Sequence, residues 1–337
     1  MNTIKYDRYY IDMNEIMDNM DYPFNFIVGG RGIGKTFGCL KNIMETGKKF
    51  VYVRITDKEL KMCASNAGNP FKKLNRVLNR DYNFKKLDDY TFGIYDGDKS
   101  EYEGIGIALT TFSKVRGVDF SDINYLVLDE FIPERIVKKI SGIGEALFQA
   151  YETINRNREI EGEKPLKLIA MANSMNINNE ILIDFKLVTM LQKMKTTKNE
   201  WLVERNILLV CPWKTPISEM KKDTVLYQIN ERFNDMAINN NFREYYDGNV
   251  KSENISGKRL IATFDNISFY KDTSKNMYYV SPFRVKGSNA PLYKNTDFEQ
   301  KQFVITYYYF VRIYYQKLIR FESAEIELQF INLFDIK

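Results

Sequence analysis

Residues Gly29, Gly30, Arg31, Gly32, Ile33, Gly34, Lys35 and Thr36 satisfy G-x-x-x-x-G-K-[ST]. In that spacing the glycines let backbone N–H groups close on phosphate oxygens, which leaves one lysine and one hydroxyl for further chemistry. Lys35 is placed to reach β and γ phosphates and Thr36 to hold Mg²⁺, while a helix starting there adds a partial positive charge. The ordinary alternative is a glycine-rich turn. Against it stands the context, since the apolar run FNFIV precedes the loop and a helical pattern follows it.

A second set of groups fits the same chemistry. Tyr125-Leu126-Val127-Leu128-Asp129-Glu130 reads as a buried strand ending in two acids, and acids at the carboxyl end of a parallel strand face the edge where a phosphate loop lies. Asp129 suits the metal side. Glu130 suits the base that polarises an attacking water, which points to ATP hydrolysis rather than to a switch that positions water with glutamine. A solvated Asp-Glu opening the next loop is the bland reading. Asn173 closes a further apolar run, Leu166 to Met171, where an amide can bond a γ phosphate and a water; Asn-Ser there is equally common turn chemistry.

Several basic residues remain. Arg156 and Arg158, in YETINRNRE, follow an apolar helical face and could reach a neighbouring subunit's γ phosphate, or could solvate a helix end where the dipole favours cations. Arg116, in Ser113-Lys114-Val115-Arg116-Gly117, could touch phosphate or DNA or belong to a solvated loop. Arg135, Lys138 and Lys139, in FIPERIVKKISGIGE, make a basic, glycine-containing loop that could grip a nucleic-acid backbone.

These groups need a scaffold, and the pattern supplies one. Phe24 to Val28, Phe50 to Val53, Ile105 to Leu109, Tyr125 to Leu128 and Leu166 to Met171 read as strands; near-continuous apolar runs of this length suit a parallel sheet covered on both faces. Helix candidates at Lys35 to Glu45, Asp57 to Ser65, Phe71 to Leu78 and Gly144 to Arg158 alternate with them. The fold class expected is α/β, a P-loop NTPase with a mostly parallel sheet flanked by helices. We expect this domain over residues 1–195, a linker region over 196–235, and a smaller α+β domain over 236–337. In the last, Arg259 to Phe264, Ile267 to Lys271 and Met277 to Ser281 read as an antiparallel meander with Asp265-Asn266 at a hairpin, and Gln302 to Leu318 as an aromatic-rich helix.

Composition removes other classes. The 337 residues contain no histidine, which excludes serine-type triads, His-ligated zinc and imidazole acid–base catalysis. Catalysis must then use carboxylates, lysine, arginine and a hard metal. Cys39, Cys63 and Cys211 have no paired spacing and suit a reducing cytoplasm. No run of about 18 apolar residues occurs, so the expectation is a protein neither secreted nor membrane-spanning. A formal charge of +5 permits a polyanionic partner without requiring one.

In this order and at these separations, FNFIVGGRGIGKT, FVYVR, YLVLDEFI, INRNRE and IAMANS resemble the DNA-packaging ATPases of phi29-like tailed bacteriophages, over most of residues 20 to 180. Those are P-loop motors of the additional-strand, catalytic-glutamate class. The resemblance implies that Lys35 and Thr36 serve the nucleotide, Asp129 and Glu130 form the Walker B pair, and Arg156 is a trans-acting arginine finger. Arg116 stands where the family carries a basic residue of inter-subunit coupling, there a lysine. It also implies ATP and Mg²⁺ as cofactors and double-stranded DNA as load. The assembly it implies is a homo-oligomeric, pentameric ring in the host cytoplasm, docked transiently on the portal vertex of a prohead, with a packaging RNA as a further partner. Members of that family have a C-terminal domain that looks like an RNase H-type nuclease fold without its catalytic carboxylates; here Asp265, Asp272, Asp297 and Glu299 sit chiefly in turn-like settings, so no nuclease activity is expected. The rivals are a terminase-type enzyme that also cuts DNA and an ATP-dependent switch or scaffold.

Overall fold

The structure is a computed structural model that describes residues 4–115, 117–132, 140, 142–173, 179–213, 215–221, 224–225 and 249–336. The chain divides into two compact units, Met1–Arg243 and Glu244–Lys337.

The first unit opens with a short hairpin, β1 (Tyr6–Asp7) and β2 (Tyr10–Ile11), and helix α1 (Met13–Asp18), whose N-cap Asp12 accepts from Asn14 N and Glu15 N. Then follow β3 (Phe24–Gly29), α2 (Lys35–Thr46), β4 (Lys49–Arg54), α3 (Asp57–Ala64), α4 (Lys72–Leu78), β5 (Tyr82–Lys86), β6 (Thr91–Asp96) and β7 (Gly104–Ala108). After a 3₁₀ segment at Leu109–Lys114 come β8 (Ile123–Asp129), α5 (Ile143–Asn155), β9 (Lys167–Asn173), α6 (Glu180–Asp184), α7 (Leu187–Thr197), β10 (Trp201–Glu204), β11 (Ile207–Val210) and α8 (Pro216–Lys221). Local chemistry sets several of these ends. Thr56 and Glu59 form a capping box on α3, and Gly47 closes α2 at φ 65°.

Among the described residues the strands make one nine-stranded sheet in the order β10-β11-β3-β9-β8-β4-β7-β6-β5. From β11 to β7 all neighbours are parallel, and β10, β6 and β5 extend the two edges antiparallel. The inner strands are buried nearly end to end, as runs such as Phe26-Ile27-Val28 and Leu126-Val127-Leu128 require. The mostly parallel α/β sheet expected from the sequence is therefore present. One expectation is corrected: residues 201–210, read as linker, add β10 and β11 to the sheet, and the units part at Arg243/Glu244. Each is only four residues long; β10 is the partly exposed outer strand, whereas β11, Ile207-Leu208-Leu209-Val210, is a short, mostly buried apolar run that the sequence reading passed over. Cys39, Cys63 and Cys211 are free and buried.

The second unit contains β12 (Arg259–Phe264), β13 (Ile267–Asp272), β14 (Met277–Ser281), β15 (Leu292–Tyr293) and β16 (Ile319–Phe321), in the order β15-β12-β13-β14-β16. β12 to β14 form the antiparallel meander, turning at Asp265 with φ 48°; β15 and β16 add parallel strands at its edges. The expected helix Gln302 to Leu318 is instead two, Asp297–Tyr307 and Tyr309–Tyr315. Lys317 then takes a left-handed φ of 59°, which frees Ile319 to pair with β14. Phe269, Phe303, Phe310, Phe321 and Phe330 form the aromatic centre of this core.

Candidate active site

The loop after β3 needs its glycines for separate reasons. A Cβ on Gly29 would lie 2.7 Å from Ile33 Cδ1 and 3.2 Å from Pro212 Cγ, while Gly32 and Gly34 take φ 74° and 99°. The loop thus packs against its own Ile33 and delivers Gly34 as the N-cap of α2. Lys35, in the first turn of that helix, is 7% exposed. Its Nζ donates to Gly29 O at 3.0 Å, Gly30 O at 2.8 Å and Asn173 Oδ1 at 3.1 Å. Burial lowers its pKa to about 8, against the attraction of Asp129 and Glu130.

Strand register brings the other groups to the same edge. β9 lies between β3 and β8, so that Asn173 pairs with Gly29 and Met171 with Asp129. Thr36 Oγ1 donates to Asp129 Oδ1 at 2.9 Å, and Tyr52 Oη to Asp129 Oδ2 at 2.9 Å. Burial pushes the Asp129 carboxyl up, with Arg54 opposing it. Glu130 follows at φ 55°, a left-handed value that costs a non-glycine residue about 1–3 kcal/mol. Arg54, at the end of β4, holds Glu130 through Nη2 at 2.5 Å from Oε2 and stands 3.5 Å from Asp129 Oδ2 through Nη1. Its Nε finds no acceptor among the described residues.

Lys35, Thr36, Asp129, Glu130 and Asn173 line a groove of about 510 Å³ together with the loop Arg31 to Gly34, Tyr10, Phe37 and Lys73. Among the described residues no group of three or more Cys, Asp or Glu side chains could hold a metal by itself. The pair of hard oxygens at Thr36 and Asp129 does suit Mg²⁺, which takes one or two protein oxygens and completes its shell with phosphate and water.

Other expected residues lie elsewhere. Arg156 is the exposed C-cap of α5, at φ 46°, and is not among the residues that line the groove. Arg158 donates to the carbonyls of Phe120 (3.0 Å) and Ser121 (3.3 Å), which fastens the turn before β8. Arg158, the other candidate inter-subunit group, thus uses its Nη2 within its own chain and stays half-exposed. Arg116, Arg135, Lys138 and Lys139 lie outside the described residues.

A model of the podovirus DNA encapsidation protein (Gp16) family matches residues 6–310. The chain belongs to that family. It is 24% identical over 276 residues to the DNA packaging protein of Bacillus phage B103, which covers 79% of each chain. To the DNA packaging protein of Bacillus phage phi29 it is 25% identical over 198 residues, 56% of this chain and 54% of that one. Its fold is that of two solved chains. One belongs to the Phi-28 gp11 DNA packaging motor, with 19% identity, 96% of this chain and 97% of that chain covered and a TM-score of 0.65. The other belongs to the bacteriophage Phi-29 viral genome packaging motor assembly, with 18% identity, 98% and 99% covered and a TM-score of 0.65.

In this member of the Gp16 family, Tyr52, Arg54 and Lys221 are among the residues at the site that escaped the sequence reading, as are Tyr10, Phe37 and Lys73 in the groove wall. Tyr52 and Arg54 carried the signal that marked Asp129, polar groups at the end of an apolar strand, but their meaning depends on β4 lying beside β8. Lys221, the last residue of α8, bonds the Arg31 carbonyl through Nζ and sits 3.1 Å from where a Cβ on Gly32 would be. Nothing local in the sequence singles it out.

Proposed function

We propose that this Gp16-family protein is an ATPase whose turnover drives double-stranded DNA into a phage prohead. The observation that carries the reading is the convergence of Lys35, Thr36, Asp129, Glu130 and Asn173 on one groove at the carboxyl edge of the parallel sheet. In this reading the domain is a P-loop NTPase. The loop from Gly29 to Gly34 wraps the phosphates, and Lys35 exchanges its carbonyl and Asn173 contacts for the terminal phosphates of ATP. Thr36 and Asp129 hold Mg²⁺, which when bound neutralises charge on the phosphate oxygens. Glu130, once released by Arg54, orients and deprotonates the attacking water, and Asn173 reads the γ phosphate. The ion pair with Arg54 thereby keeps the base off the nucleotide until the site is assembled.

The same proposal assigns Arg156 to the γ phosphate of a neighbouring subunit in an oligomeric ring, which its exposed position outside its own groove suits. Arg135, Lys138 and Lys139 would grip DNA, and Arg116 would couple subunits. A pentamer, a packaging RNA and docking at the prohead vertex in the host cytoplasm complete this reading. For the second unit we propose a vestigial RNase H-like domain. Its support is the meander with β15 laid parallel to β12, together with acids employed in turns and caps: Asp272 accepts from Ser274 and faces Lys258, and Glu299 accepts from Lys294 N.

The test is steady-state ATP hydrolysis with and without double-stranded DNA, for the wild type and Glu130→Gln. We expect DNA-stimulated turnover that drops by about 10² or more in the variant. Negligible wild-type turnover, unchanged by Glu130→Gln, would make the protein a scaffold rather than a motor.

A further inference from the structure

The groove at the phosphate loop has chemically unlike ends. Glu130 and Asn173 stand at one end, and Tyr10, Phe37 and Lys73 at the other. From that second end a further hollow of about 380 Å³ continues, walled by Asp7, Met13, Lys41 and Val77. Tyr10, Gly34, Phe37 and Lys73 line both spaces. A nucleotide whose terminal phosphate lies between Lys35 and Glu130 must carry its sugar and base away from the acids, and that direction leads here.

The hollow is built rather than incidental. Ile11 N donates to Ile33 O at 3.0 Å, which pins the β1–β2 hairpin to the phosphate loop. Gly34 admits Tyr10 against the loop, since a Cβ there would sit 3.1 Å from Tyr10 Cβ. Gly38 likewise lets α1 close on α2, because its Cβ would come within 2.5 Å of Met13 Cγ. Lys73 Nζ stands 5.4 Å from the Tyr10 ring centroid and 5.0 Å from that of Phe37. Tyr10 is nevertheless 39% exposed, an aromatic face held at a fixed place and still open to water. The volume suits a nucleoside-sized ligand.

We propose that this hollow is the base and ribose subsite of the nucleotide, with Tyr10 as the platform on which a purine stacks and Lys73 directed at the ribose and the first phosphate. The inference rests on the nucleotide reading of the phosphate loop and adds what recognises the rest of the molecule. Stacking on an aromatic side chain is strong enough for its loss to weaken binding by about tenfold.

The experiment compares equilibrium binding of ATP and of inorganic tripolyphosphate to the wild type, Tyr10→Ala, Tyr10→Phe and Lys35→Ala. We expect Tyr10→Ala to weaken ATP by about tenfold and leave tripolyphosphate unchanged, with Tyr10→Phe like the wild type. An unchanged ratio of ATP to tripolyphosphate affinity in Tyr10→Ala overturns the subsite, and Lys35-dependent binding of both ligands would leave the phosphate site standing. If the wild type binds neither ligand, the nucleotide reading falls and takes the subsite with it. Photolabelling of the wild type with 8-azido-ATP avoids any question of variant folding: label on the stretches Asp7 to Asn14 or Lys73 to Val77 supports the subsite, and label confined elsewhere sinks it.

Discussion

Arg54 carries two carboxylates at once, and they are unequal. Its side chain is 12% exposed and that of Asp129 6%, whereas Glu130 is 54% exposed. Removing Arg54 leaves Asp129 as a buried acid without its cation, so Arg54→Ala should cost about 3 kcal/mol in denaturant unfolding without nucleotide. Glu130→Gln should cost less than about 1 kcal/mol in the same titration. Equal losses would mean that the exposed pair, not the buried one, anchors the strand ends. Lys35 gives a pH signature. Burial lowers its pKa to about 8 in the free site, while bound phosphate favours the charged form. Above pH 8 the free protein has lost a proton that the complex retains, so ATP binding should take up a proton there and its affinity should fall as pH rises. Calorimetry in buffers of different ionisation heat measures the uptake, and an affinity flat from about pH 7 to about pH 9 would contradict it. The glycine-lysine loop and the acid pair were legible in the sequence because each is contiguous. The clamp on Glu130 was not, because Arg54 meets it only through the pairing of Val53 with Leu128.

The elements show the same division between local and distant information. The inner strands β3, β4, β7, β8 and β9 fall within two residues of the expected positions, since burial on both faces leaves an unbroken apolar run. β5, β6, β10 and β11 went unread. Three of these extend the edges antiparallel, and part of their surface faces water, which interrupts such a run. The aromatic segment after Asp297 was read as one long helix for a related reason, since its periodicity continues past Tyr308 while Lys317 and the pairing of β16 end it from outside. Helix α2 tests the importance of close approach. Gly38→Ala would force a methyl against Met13 Cβ, now 2.6 Å from that position, so α1 must shift. We expect a loss of about 1–3 kcal/mol in thermal or denaturant unfolding, against about 1 kcal/mol or less for Ala at the exposed cap Gly47. A Gly38 variant as stable as the wild type would show that the hairpin and α1 are loosely attached.

At the scale of the whole molecule, the proposed ring assigns Arg156 to a neighbouring subunit's groove. Among the described residues only Arg31 of the arginines lines the groove, Arg54 standing on its two acids, and the exposed Arg156 is held at a left-handed φ, a conformation an arginine adopts only at a cost. Mixing Arg156→Ala subunits with Lys35→Ala subunits should restore part of the ATP hydrolysis that each lacks alone. A strictly additive loss without recovery would make Arg156 a feature of its own chain. The division into two units was legible in outline, but its position was not, because the sheet recruits two four-residue strands, β10 and β11, from the stretch between 196 and 235 that was read as linker. One earlier detail bears on how such experiments report. Burial pushes the thiols of Cys39, Cys63 and Cys211 up, and all three lie within the first unit: Cys63 Sγ is 4.0 Å from Tyr52 Oη, Cys39 is on α2 behind the glycine loop, and Cys211 directly follows β11. A shielded, protonated thiol reacts slowly with alkylating reagents. Alkylation of the three cysteines is therefore expected to time the opening of the first unit, silent while it is closed and slowed by any ligand that binds only the closed form.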